Sequence, residues 1–142
     1  MEAGCGAYDN VGAIVAELAK WIRTVVSGLP ESYQPAARTL DGFVLVDVLG
    51  LKIAVEVCAD VHMAVGRCRA RLWEWPTDVC LAVRHGAGAR QYVVVHHGGE
   101  VDLGAVAPGE LADALRKHEI YRTVVKRDYV GEAATALKAA LG

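Results

Sequence analysis

Between Phe43 and Cys58 a wholly aliphatic, largely β-branched series alternates at a period of two with a mixed series, interrupted at Leu49-Gly50. Val44, Val46 and Val48 alternate with Phe43, Leu45 and Asp47. Leu51, Ile53, Val55 and Val57 alternate with Lys52, Ala54, Glu56 and Cys58. This spacing and the β-branched content predict two strands, 43–48 and 51–58. Gly50 supplies the positive φ that a two-residue hairpin turn needs. Such a turn sets Val48 opposite Leu51, Asp47 opposite Lys52, Phe43 opposite Glu56 and Asp41 opposite Cys58. Residues opposite each other share a face. Asp41, Phe43, Asp47, Lys52, Glu56 and Cys58 therefore lie on one side, and the Val, Leu and Ile face on the other side is core.

The flanking pattern is helical. Ile14, Leu18, Trp21, Ile22 and Val25 recur at spacings of three and four, which predicts a helix over about 11–26, stopped by Ser27-Gly28-Leu29-Pro30. Residues 31–40 read as loop with a short edge strand near Arg38. Asp60 caps a second helix, about 61–73, whose apolar face is Val61, Val65, Cys68, Leu72 and Trp75. Strands follow at 78–84, 90–96 and 101–106, then a helix from Glu110 to Lys117. The segment 120–129 fits more than one state, and Asp128 caps a last helix to Leu141. A strand–helix–strand step from Leu51 to Arg84 implies a parallel pair with a right-handed crossover. The fold class is α/β: a mixed central sheet flanked by helices in a single domain, 1–142.

Composition narrows the class. The chain has 142 residues, 54% of them hydrophobic, and a net charge of −2. It can bury a real core, and any basic surface on it is a local patch. No apolar run reaches membrane-spanning length, and the start has no secretory pattern, so no membrane partner is expected. Cys5, Cys58, Cys68 and Cys80 form no CxxC pair. They read as buried thiols in a reducing compartment, which implies a cytoplasmic protein.

Two carboxylates on one face of an apolar hairpin need compensation, from a divalent metal or from a basic partner on a helix. Here the order helix, hairpin, helix, strand resembles the core of the PD-(D/E)XK nuclease superfamily, the restriction-endonuclease-like fold. Leu40-Asp41 stands at the place of its first acid, and Glu56-Val57-Cys58 at the place of its acid-any residue-lysine triplet. The resemblance covers about 11–106 and leaves 107–142 as a C-terminal helical extension. It implies Asp41 and Glu56 as catalytic acids. It also implies a Mg²⁺ ion held by both, with Glu17 of the first helix as a third ligand. Mg²⁺ would serve phosphodiester hydrolysis by polarising water and phosphate. Two departures stand out: Leu40 replaces the common proline, and Cys58 replaces the lysine. A cysteine there supplies no positive charge.

Each residue also has a plainer reading. Asp47 opposite Lys52 is a cross-strand ion pair. Asp41 before Gly42 is a turn residue. Glu56 between Val55 and Val57 forms a buried ion pair with an arginine. Arg67 and Arg71 on the second helix, and Arg116, Lys117, Arg122, Lys126 and Arg127, are solvated cations or contacts to nucleic-acid phosphates. Three functions remain open at this level. The first is a nuclease-fold protein with a degenerate site that binds nucleic acid, or a protein partner such as an active nuclease or a second copy. The second is an active Mg²⁺-dependent endonuclease or resolvase-like enzyme, and the third is an unrelated α/β scaffold.

Overall fold

A computed structural model of the protein describes residues 5, 11–40, 43–74, 77–85, 88–124 and 137–141. Its elements run α1 (Val11–Val25), β1 (Ala36–Leu40), β2 (Phe43–Val48), β3 (Leu51–Cys58), α2 (Val61–Glu74), β4 (Val79–Arg84), β5 (Arg90–His96), β6 (Gly99–Val106), α3 (Leu111–Lys117) and α4 (Ile120–Val124). The six strands form one sheet in chain order, β1 to β6. Every neighbouring pair is antiparallel except β3–β4, which is parallel. The α2 crossover supplies that reversal.

The β2–β3 register is the one the sequence implies, with Val48 opposite Leu51 and Asp47 opposite Lys52. Leu49 and Gly50 both take positive φ, 53° and 89°, as a type I′ turn requires. Leucine is an uncommon occupant of such a position. It is held by burial and by the Tyr33 hydroxyl, which accepts the Leu49 N–H at 2.8 Å. Asp47 accepts the Gly50 N–H at 2.7 Å and also pairs with Lys52. A side chain at Gly50 would meet the left-handed penalty, so Gly50→Ala is expected to lower unfolding free energy by about 1–2 kcal/mol, measured by denaturant titration.

Two core layers enclose the sheet. On one face α1 brings Ile14, Leu18, Trp21 and Ile22 against the odd-numbered residues of β3 and β4, and α3 adds Leu111 and Leu115. On the other face α2 lays Val61, Ala64, Cys68 and Leu72 against Ala54, Cys58, Cys80 and Ala82. Asp60 begins α2 as expected, its side chain accepting the His62 N–H at 2.9 Å. Asp78 sets the parallel step: its carboxylate accepts the Lys52 N–H at 2.8 Å, and its own N–H donates to the Lys52 carbonyl at 2.9 Å.

The cysteines correct the sequence reading. Cys5 is bonded to Cys58, and Cys68 to Cys80. Helical and strand periodicity put Cys68 directly over Cys80, so the second bond ties α2 to β4. Disulfides belong to a non-reducing environment or to unusually oxidised interiors, and the reduced-thiol reason for a cytoplasmic protein falls with them. Among the described residues, no helix is long and apolar enough to cross a membrane.

The fold is α/β with a mixed sheet flanked by helices, as expected. β1 is the short edge strand expected near Arg38, and β6 begins two residues before the expected strand. Residues 137–141 are helical, in line with the last helix, whose earlier part lies outside the described residues.

Candidate functional site: a buried carboxylate between two arginines

Even-numbered residues of β3 face α2, which places Glu56 in that interface, with Ala54 two residues away and Ala82 of β4 as its register partner. These small neighbours leave room for a carboxylate and for the side chains that reach it. Glu56 is 0% exposed. A bare charge so placed would be untenable.

Compensation comes from α2. Arg67 and Arg71 are four residues apart, so they project from one side of the helix. Arg67 Nε donates to Glu56 Oε1 at 2.9 Å, and Arg71 Nε donates to Oε2 at 2.6 Å. Each oxygen receives its own charged donor, the stronger class of hydrogen bond. The arginine side chains are 25% and 16% exposed, so each reaches from solvent into the interface. The Arg71 guanidinium also lies 4.2 Å from the Phe43 ring centroid, and its Nη1 donates to Glu74 at 3.3 Å. One step beyond the Val44–Val55 pair, the same register brings Phe43 across from Glu56, so ring, carboxylate and guanidinium lie together.

Of the predicted metal ligands that are described, Glu17 does not join Glu56. Asp41 lies outside the described residues. Glu17 lies on α1, across the sheet from Glu56; its Oε1 accepts the Ala112 N–H at 3.1 Å, and its Oε2 pairs with Lys20 at 3.2 Å. Cys58, at the lysine position of the resembled triplet, is buried and bonded to Cys5. A Mg²⁺ ion binds carboxylate oxygen at about 2.0–2.1 Å. At Glu56 it would have to displace a guanidinium, so the residues described do not fit the ion. Among the described residues no three His, Cys, Asp or Glu side chains converge to hold a metal.

The remaining cations divide between two places. On α2, Arg69 pairs with Glu100 of β6, while Arg67 and Arg71 are committed to Glu56. On the other face of the sheet, Arg116, Lys117 and Arg122 are exposed on α3 and α4. Arg116 stands 3.6 Å from Asp113, and Arg122 stands 3.4 Å from Glu119. Lys126 and Arg127 lie outside the described residues.

The sequence reading does not single out Trp73. It is 85% exposed on the outer side of α2, edge-on to the His97 ring at 6.1 Å between centroids. Met63, Gly66 and Ala70 lie on that same exposed side at helical spacing. The signal was present in the spacing 63, 66, 70, 73. It was masked because the periodicity of α2 was read from its buried stripe alone.

No family model, curated protein or solved structure matches the chain.

Proposed function

We propose that this chain is a nuclease-fold protein whose acid site has become structural, and that it acts by binding nucleic-acid phosphates rather than by cutting them. What carries the first part is Glu56: a fully buried carboxylate with both oxygens taken by Arg67 and Arg71, beside a Cys58 locked in a disulfide. Hydrolysis of the resembled kind needs an accessible carboxylate–metal centre and a cation two residues on. Neither fits this arrangement. In support of the fold part, the order α1–β1–β2–β3–α2–β4 with a parallel β3–β4 step agrees with the helix, hairpin, helix, strand order of the resemblance.

The binding part rests on Arg116, Lys117 and Arg122. They stand exposed on α3 and α4, and among the described residues Arg116 and Arg122 face the surface carboxylates Asp113 and Glu119 one helical turn away. Such pairs are weak and readily exchanged for phosphate. The contact would be to the backbone and largely independent of sequence.

One experiment tests both halves. Wild type with Mg²⁺ or Mn²⁺ is expected to leave single- and double-stranded DNA and RNA intact. It is expected to bind them with an affinity that falls steeply with salt, and Arg116→Ala/Lys117→Ala/Arg122→Ala is expected to reduce that affinity and flatten the salt slope. Cleavage by wild type that Glu56→Gln abolishes would make the protein an enzyme. Absence of binding at low salt would remove the nucleic-acid reading. A second reading, docking of a protein partner, is favoured by the exposed Trp73, since aromatic side chains dominate protein interfaces.

A further inference from the structure

The four cysteines form two unlike pairs. Cys68 and Cys80 are both fully buried, between α2 and β4. Cys58 is fully buried as well, but its partner Cys5 is only half-buried. The topology accounts for the difference. The β2–β3 pairing runs as far as Val44–Val55. Beyond it, Cys58 pairs with Arg84 on its β4 side, so its antiparallel bridge with Cys5 takes the opposite edge, the side of β2. Cys5 thus extends the β2 side of β3 at the rim of the sheet. Near the start of α2, the exposed Met63 sets its Sδ 3.2 Å from Cys5 Sγ.

Thiol–disulfide exchange requires a thiolate to reach one sulfur of the bond, so access decides which bond reacts and at which end. Solvent reaches the Cys5 side of the first bond. Cys58, Cys68 and Cys80 all lie inside the layer that α2 closes. Exposed disulfides are the labile ones, and enclosed ones resist reduction.

We infer that Cys5 is a site of reversible S-thiolation by low-molecular-weight thiols of the glutathione class, which open the Cys5–Cys58 bond while Cys68–Cys80 stays closed. The incoming thiolate bonds to Cys5 Sγ as the Cys5–Cys58 bond breaks, and the electron pair leaves on Cys58 Sγ. Cys58 takes up a proton, because its layer, shared with Ala54, Val61 and Ala64, disfavours a thiolate. A second thiol then attacks the mixed disulfide and releases the Cys5 thiol. Two small thiols are oxidised to their disulfide, and one protein disulfide is reduced to two thiols. The released Cys58 does not scramble the second bond. Cys80 pairs with Ala54, which is roughly 13 Å from Cys58 at strand rise. The inference is independent of the proposed phosphate contacts, which lie on α3 and α4.

The test exposes the full, untreated chain to glutathione buffers of graded ratio under native conditions. Acid quenching, alkylation of free thiols and peptide mass spectrometry then locate each modification. The first product is expected to carry glutathione on Cys5 and an alkyl group on Cys58, followed by the Cys5/Cys58 dithiol. Cys68–Cys80 should open more slowly by roughly tenfold or more, since it requires the α2–β4 layer to open. With ¹³C-methyl methionine, the Met63 resonance should shift in step with Cys5 modification, and oxidised glutathione should restore both the bond and the shift. In Cys58→Ser, oxidised glutathione should modify Cys5; in Cys5→Ser it should leave Cys58 unmodified. Three results would each overturn the inference: glutathione first on Cys58, Cys68–Cys80 opening as fast as Cys5–Cys58, or a Cys5–Cys58 bond inert to glutathione that fully reduces an unstructured cystine peptide. These three are read on the wild type, so they decide the matter even where a variant does not fold.

Discussion

Replacing Glu56 by alanine is expected to lower the unfolding free energy by about 3 kcal/mol, the low end of the cost of breaking a buried ion pair. The loss arises less from the missing attraction than from what stays behind. Arg67 and Arg71 keep their charges and lose the acceptor for which both were drawn into the interface. The low end applies because both guanidiniums retain some exposure and can swing outward. A triple change, Glu56→Leu with Arg67→Met and Arg71→Met, is expected to recover most of the loss or to exceed wild type, since apolar replacements of buried ion clusters often do. Denaturant melts of the single, paired and triple variants supply the coupling energy. A Glu56→Ala chain as stable as wild type would show that the carboxylate is not structural.

Reduction of the disulfides is the second large effect. Cys5–Cys58 spans 53 residues and Cys68–Cys80 spans 12. Chain-entropy estimates for these loops are about 4 and about 3 kcal/mol, and strain or residual structure generally lowers such values. The loops do not overlap, so the contributions should add approximately. The midpoint of thermal unfolding is expected to fall by on the order of 10 °C or more in a strong phosphine reductant. Non-reducing mass spectrometry should find the untreated protein four hydrogens lighter than the reduced chain. Cys68→Ala/Cys80→Ala should leave the Cys5–Cys58 bond and its share of the shift intact. Identical melting with and without reductant would contradict the pairing.

Much of the frame could be read in the residues. The hairpin was legible because the aliphatic positions from Val44 to Val57 keep a period of two on either side of Leu49-Gly50, and Gly50 marks the turn. The α2 helix was legible because Asp60 caps a run with one buried stripe. Glu56 was conspicuous as a charge inside an apolar strand, and the structure gives it the arginine partner that was its plainer reading. What stayed hidden depends on which layer covers which face. Nothing in Ile14 to Val25 says on which side of the sheet α1 packs, so Glu17 was assigned to the face of Glu56 when the sheet lies between them. Four cysteines admit three pairings, and only the placement of α2 over β4 brings Cys68 to Cys80. The β1 strand was legible only as a short edge strand near Arg38, without bounds, because most of its residues are exposed and carry no alternation.

Because the sheet order equals the chain order, each strand can pair with the one made just before it, as the chain emerges. The only long excursion between paired strands is the α2 crossover, and loop closure costs rise slowly with length. The meander β1–β3 can therefore form first, and α2 with β4 and β5 can close the Glu56 layer soon after. The α1 layer is different. Its helix is synthesised first, but α3, which it packs against, comes nearly last. Until then part of the Ile14–Trp21 surface waits uncovered. A chain stalled before Leu111 should hold the α2 half closed and the α1 half open to chaperones or to aggregation.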